Sequence, residues 1–113
     1  MKQTVYIEMA GTANATGAVT LESNPLRAGQ ILCVQHVAIK NESGDGAVAH
    51  LKVKYSKSTY SVKTVVLTTA GYIYSHENPI FIGSDGVLQV AVSGASSGSK
   101  VSVDVFGYIT EAN

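Results

Sequence analysis

The feature that most constrains this chain is a two-residue period of stiff, branched side chains. In Val101-Ser102-Val103-Asp104-Val105 and in Leu51-Lys52-Val53-Lys54-Tyr55, apolar and polar residues alternate without a break. Successive side chains of an extended strand point to opposite faces, so this period is that of a half-buried strand. The residues that carry it are themselves strand formers. The chain has 15 Val, 7 Ile and 9 Thr, more than a quarter of its 113 residues. Such side chains lose χ1 freedom in a helix and fit a pleated sheet better. No window places apolar residues at helical spacing with a polar opposite face, so the chain reads as all-β.

The alternation locates the strands. Val5, Ile7 and Met9 share one face, with Tyr6 and Glu8 on the other, and the small residues from Ala10 to Gly17 read as a loop. Ala18–Leu21 reads as a short strand ended by Glu22-Ser23-Asn24-Pro25. Residues 31–40 form a strand apolar on both faces, with Ile31, Cys33, Val37 and Ile39 set against Leu32, Val34 and Ala38. Double coverage implies a central position or contact with a second subunit. A turn is expected at 41–46, ending in Asp45-Gly46. Strands follow over 51–56, 62–68, 72–74, 80–82, 87–92 and 100–110. Pro79, in the loop 75–79, excludes a central-strand ladder bond at its position. Short strands separated by turn residues give the expected architecture: one antiparallel β-sandwich over residues 1–113, jelly-roll-like, with about eight strands. An immunoglobulin-like sandwich is the second choice, weakened by the absence of tryptophan and of a cysteine pair.

Composition narrows the function classes. Charged residues are only 14% of the chain, and eight Lys and Arg balance eight Asp and Glu. That excludes a charge-rich disordered tail and a polybasic nucleic-acid module. Lys52, Lys54, Lys57 and Lys63, near Tyr55 and Tyr60, read as a solvated strand face, so no nucleic-acid partner is expected. The single cysteine, Cys33, allows no internal disulfide and reads as a small buried hydrophobe. No apolar stretch is long enough for a helical membrane span, and Met1-Lys2-Gln3-Thr4-Val5 does not begin a secretory signal. The expectation is a non-exported protein with no membrane partner.

No catalytic constellation emerges. His36, His50 and His76 lie 14 and 26 residues apart, without ligand spacing, so neither metal nor cofactor is expected. The carboxylates show no pair selected for acid–base work. Asp45 and Asp85 precede glycines and read as turn residues. Asn14-Ala15-Thr16 and Asn41-Glu42-Ser43 match the glycosylation triplet but read as turns too. No Gly-x-Ser-x-Gly elbow is present. The chain is therefore read as non-enzymatic. Tyr60, Tyr72, Tyr74 and Tyr108 have three readings: caps on the ends of the core, an interface belt, or a sugar-stacking platform.

The C-terminal half carries a recognisable cadence. Ala70-Gly71-Tyr72 is followed by Pro79-Ile80-Phe81-Ile82-Gly83-Ser84-Asp85-Gly86-Val87-Leu88-Gln89-Val90, then Ser93-Gly94-Ala95 and a valine-rich strand ending Gly107-Tyr108-Ile109. Over about residues 65–110 this resembles small jelly-roll virion structural proteins of tailed bacteriophages. The resemblance implies a capsid decoration protein, or a head or tail fibre module, that oligomerises and binds the major capsid or another virion protein. Its place would be the virion, after synthesis in the host cytoplasm. Low charge and the doubly apolar strand fit a chain that buries surface in an assembly. They motivate a homotrimer with Val34, Val37, Tyr60, Tyr72, Tyr74 and Tyr108 as candidate interface residues. The alternative is a carbohydrate-binding module or receptor-binding adhesin that grips surface glycans with its tyrosine-lined loops.

Overall fold

A computed structural model describes residues 2–42, 46–67 and 70–111. Nine strands fold into two antiparallel sheets, and no helix occurs among the described residues. In chain order they are β1 (Lys2–Thr12), β2 (Val19–Glu22), β3 (Gln30–Asn41), β4 (Ala47–Lys54), β5 (Thr59–Leu67), β6 (Ile73–His76), β7 (Ile80–Ile82), β8 (Val87–Ser93) and β9 (Lys100–Glu111). One sheet has the order β1-β9-β3-β6, with β7 also pairing β3, and the other runs β2-β8-β4-β5. The last strand thus pairs with the first and third, and the eighth pairs with the second and fourth. Such interleaving is the jelly-roll arrangement of a double sheet.

The alternation read from the sequence sets the core. Leu51 and Val53 of β4, Val90 and Val92 of β8, and Val101, Val103 and Val105 of β9 all point between the sheets and are buried. Val5, Ile7 and Met9 face the same way from β1. The small-residue stretch after Met9 is not wholly loop, because β1 continues to Thr12. Gly11 explains this: a Cβ there would lie 2.7 Å from Leu21 and 2.8 Å from Val19, so its bareness lets β2 pack closely on β1. Asn14 closes the following loop, its side-chain oxygen accepting the backbone N–H of Thr16 at 2.9 Å and of Ala18 at 3.1 Å. Pro79 precedes the short edge strand β7, as its missing donor requires. The turn expected at 41–46 lies in part (43–45) outside the described residues.

The strand that looked apolar on both faces is resolved by a β-bulge. β3 is central, between β9 and the β6/β7 pair. Its register against β9 runs Val34↔Gly107 and then His36↔Phe106, with one extra residue, Gln35, in between. A bulge of this kind switches which parity faces the core. Before it Leu32 and Val34 point inward, and after it Val37 and Ile39 do. Val34 and Val37 are both 0% exposed and belong to the core of a single chain. They are therefore not interface residues, contrary to the reading that set them on opposite faces.

Candidate interaction face

The bulge also decides what the outer face of the five-stranded sheet displays. Ladder partners across three strands place Tyr6 (β1), Phe106 (β9) and His36 (β3) in one row on the solvent side. The next row holds Thr4, Tyr108, Cys33 and Phe81, on β1, β9, β3 and β7. Ile31 stands beyond it, opposite Thr110. Among the described residues, eight large hydrophobic side chains are exposed. Five of them, Tyr6, Ile31, Ile73, Phe81 and Phe106, lie on this face. Phe81 is 66% exposed and Tyr6 53%. Such a patch, which no second layer among the described residues covers, makes this face the candidate interaction surface.

The rings are arranged in a specific way. Tyr6 and Phe106 stack with centroids 4.7 Å apart and planes 22° apart, and His36 stacks on the other side of Phe106 at 6.0 Å and 23°. Phe106 is thus flanked by rings from both neighbouring strands. Cys33, buried and unpaired, fills the gap beside Tyr108. The thiol holds the Tyr108 phenol above its ordinary pKa by hydrogen bonding.

Charge frames the apolar rows. Glu8 and Asp104 are directly opposite across β1 and β9, an unfavourable like-charge pair. The Tyr6 hydroxyl sits between them, 2.9 Å from Glu8 Oε2 and 2.7 Å from Asp104 Oδ1, its single proton shared between the two carboxylates. Those hydrogen bonds, Asp104 first, raise the phenol's pKa well above its ordinary value. At the other margin the Lys2 ammonium lies 4.1 Å over the Tyr108 ring, a cation–π contact. Glu8 and Asp104 thus flank the aromatic centre on one side and Lys2 on the other, with Lys40 one row beyond the carboxylates.

The tyrosines singled out from the sequence do not converge. Only Tyr108 belongs to this face. Tyr74 sits opposite Ile39, packs against the core and shares a 3.1 Å hydrogen bond with His76 Nδ1, while Tyr72 precedes β6 at the sheet edge. Tyr60 is on β5 in the other sheet, edge-on to Tyr55 at 6.1 Å. The residues that make the patch, Tyr6, Phe81, Phe106, Ile31 and His36, were not among the candidates. One signal was available: the chain's two phenylalanines each stand on the strand face opposite the buried valines and isoleucines. A large aromatic on the polar face of an alternating strand marks an exposed patch. Lys54, from the lysine face, is engaged by Glu22 at 3.4 Å. Among the described residues no group of three His, Cys, Asp or Glu is placed to hold a metal ion. None of the described helices could cross a membrane, since there are none.

No family model matches the chain, and no curated protein matches it in sequence. Solved structures share its fold. A chain of the virus-like particle of the extra small virus of the giant freshwater prawn Macrobrachium rosenbergii superposes with a TM-score of 0.56 at 16% identity, covering 100% of this chain and 80% of that one. A chain from Bacillus endospore appendages, which are disulfide-linked pili, gives 0.55 at 13% identity over 100% and 92%. The Drosophila NLP core, a structure concerned with pentamer formation and histone binding, gives 0.50 at 15% over 95% and 99%. At these identities the likeness establishes the fold, a jelly-roll sandwich.

Proposed function

We propose that this chain is a non-enzymatic structural protein of a virion, a decoration protein that docks on a larger shell through the outer face of its five-stranded sheet. The observation that carries this is the row Tyr6–Phe106–His36 with Phe81 and Ile31 beside it, an aromatic and apolar patch left exposed. An isolated exposed aromatic needs no explanation, but several on one flat face do. Two similar folds come from assembled particles, a viral shell and a pilus, which accords with the reading. The bacteriophage assignment rests on the cadence of residues 65–110. The threefold symmetry expected from the strand 31–39 has lost its basis, because Val34 and Val37 are core residues. Association with copies of itself remains part of the reading. The glycan-binding alternative has no observation of its own, since Tyr60, Tyr72, Tyr74 and Tyr108 are dispersed.

The test is to express the gene with its genomic neighbours and sediment the particles that form. Wild-type chain should travel with the particles, and Phe81→Asp/Phe106→Asp should remain in the free fraction with an unchanged strand-type circular dichroism spectrum. A wild-type chain absent from particles, or a folded double variant that still travels with them, refutes docking through this face. Binding on a glycan array, abolished by the same double variant, would replace the reading with the alternative.

A further inference from the structure

The open edge of the five-stranded sheet carries more information than its face. β1 ends the strand order and pairs only with β9 among the described residues, so one side of its backbone is unpaired. An unpaired edge is a template for another strand unless something blocks it. One edge of the other sheet, β5, carries a single charge, Lys63, at the middle of the strand. A second β5 centred on it would set Lys63 against Lys63, the lysine guard typical of edges. β1 differs. Its two charges, Lys2 and Glu8, have opposite signs and lie symmetrically about Val5.

We infer that β1 is a self-association edge, whose partner is β1 of a second copy, antiparallel about a two-fold axis at Val5. In this register Lys2 faces Glu8 of the second copy, Glu8 faces its Lys2, and Thr4 faces its Tyr6. Every pair joins residues of like parity, so each side chain meets one on the same sheet face and the backbone donors and acceptors stay aligned. Among the same-face registers this one sets both charges against opposite charge. A shift of two residues either way removes both pairs, and the registers centred on Lys2 or Glu8 oppose like charges. A second feature points to the same edge. Val5 and Ile7 face the core but are only half-buried, lining an open cleft of about 410 Å³ with Leu26, Leu32 and Ile109. Strand addition there sets Val5 on Val5 and Ile7 on Gln3, covering apolar surface that the monomer leaves wet. Two five-stranded sheets become one ten-stranded sheet. A two-fold axis normal to the sheet puts both aromatic patches on the same side, in position to engage one partner surface.

Light scattering and sedimentation of the purified chain test this. Wild type should show a mass twice 11.8 kDa at tens of micromolar. Glu8→Lys replaces both attractive pairs by repulsive ones and should weaken association by roughly tenfold or more. The charge swap Lys2→Glu/Glu8→Lys should restore it. Val5→Cys should give a disulfide-linked dimer under mild oxidation, because paired Cα atoms across an antiparallel ladder are within bridging distance, and Ile7→Cys should not. Cys33, the one native thiol, is buried and does not compete. A monomeric wild type overturns the inference. So does a dimer whose mass ignores Glu8→Lys, a swap that fails to restore a folded Glu8→Lys variant, or cross-linking no greater at position 5 than at 7. The docking reading is tested separately with Phe81→Asp alone, since Phe81 lies on β7, which pairs with β3 and not with β1.

Discussion

Gly107 is where the bulge of β3 makes a quantitative demand on the sequence. It lies on β9 between Val5 of β1 and Val34 of β3, beside the extra residue. A Cβ built on it would stand 2.0 Å from the Cys33 carbonyl oxygen and 3.1 Å from Val34 Cα. These are backbone atoms of a central strand and cannot rotate away. Ordinary contact needs roughly 1 Å or more of additional separation, and hydrogen bonds of about 2.9 Å do not survive that widening. Gly107→Ala should therefore lose about two ladder bonds at ~1 kcal/mol each and add overpacking of about 1–3 kcal/mol. A total near 3–5 kcal/mol is a large part of the roughly 6–17 kcal/mol expected of a domain this long. Urea unfolding followed by far-ultraviolet circular dichroism is the assay, with the midpoint falling by about 2 M at an ordinary slope. Gly94→Ala is the control. Gly94 has φ 72° but open space around its Cβ position, so the change meets only the left-handed backbone cost of about 1–2 kcal/mol. Equal losses at the two positions would refute the crowding of β9 by the bulge.

Other consequences follow from the same geometry. Val37→Glu and Val34→Glu bury a charge in a monomer core, so each should leave a poorly folded chain, seen as lost thermal cooperativity; a folded, dissociated chain would return them to an interface. Glu22 is held below the usual carboxylate range by hydrogen bonding to Gln89, which outweighs desolvation, with Lys54 adding to it. Because the folded value is depressed, this stabilisation is present above the unfolded pKa and lost as pH falls through the folded one; Glu22→Gln should flatten that acid limb in a pH series of melts. Tyr6 has a raised pKa, so its contribution is complete below about pH 10 and lost as the pH rises toward the folded value. Tyr6→Phe should remove a late-titrating phenol from the alkaline absorbance curve.

Most of the fold was legible because its code is local. Leu51 and Val53, or Val101, Val103 and Val105, state their facing by alternation alone, and their partners need not be known to place them in the core. The β-sandwich followed from strand spacing and turn residues, with jelly-roll wiring the first choice over an immunoglobulin-like one. Misjudged segments depended on a neighbouring strand. Gly11 looked like a loop residue because nothing in its vicinity announces that Leu21 and Val19 fill its Cβ space. His76, placed in a loop, extends β6 because Val37 is opposite it.

The exposed aromatic face was hidden for a related reason. Ile31-Leu32-Cys33-Val34-Gln35-His36-Val37-Ala38-Ile39 supports either parity along its whole length, so its two apolar sets look like two buried faces. One inserted residue, Gln35, lets a single face collect Leu32, Val34, Val37 and Ile39, while Ile31, Cys33 and His36 turn outward. Apolar content that implied a subunit contact through Val34 and Val37 is thereby consumed by the chain's own core. What stays outside the core is assembled from four strands: Tyr6, Phe106, His36 and Phe81 are up to 100 residues apart in sequence and adjacent only through the ladder registers. A patch made of one aromatic per strand has no motif, because each strand contributes a single exception to an otherwise regular alternation. Those exceptions become a surface only when antiparallel pairing sets them in rows, and the bulge beside Gly107 fixes which rows coincide.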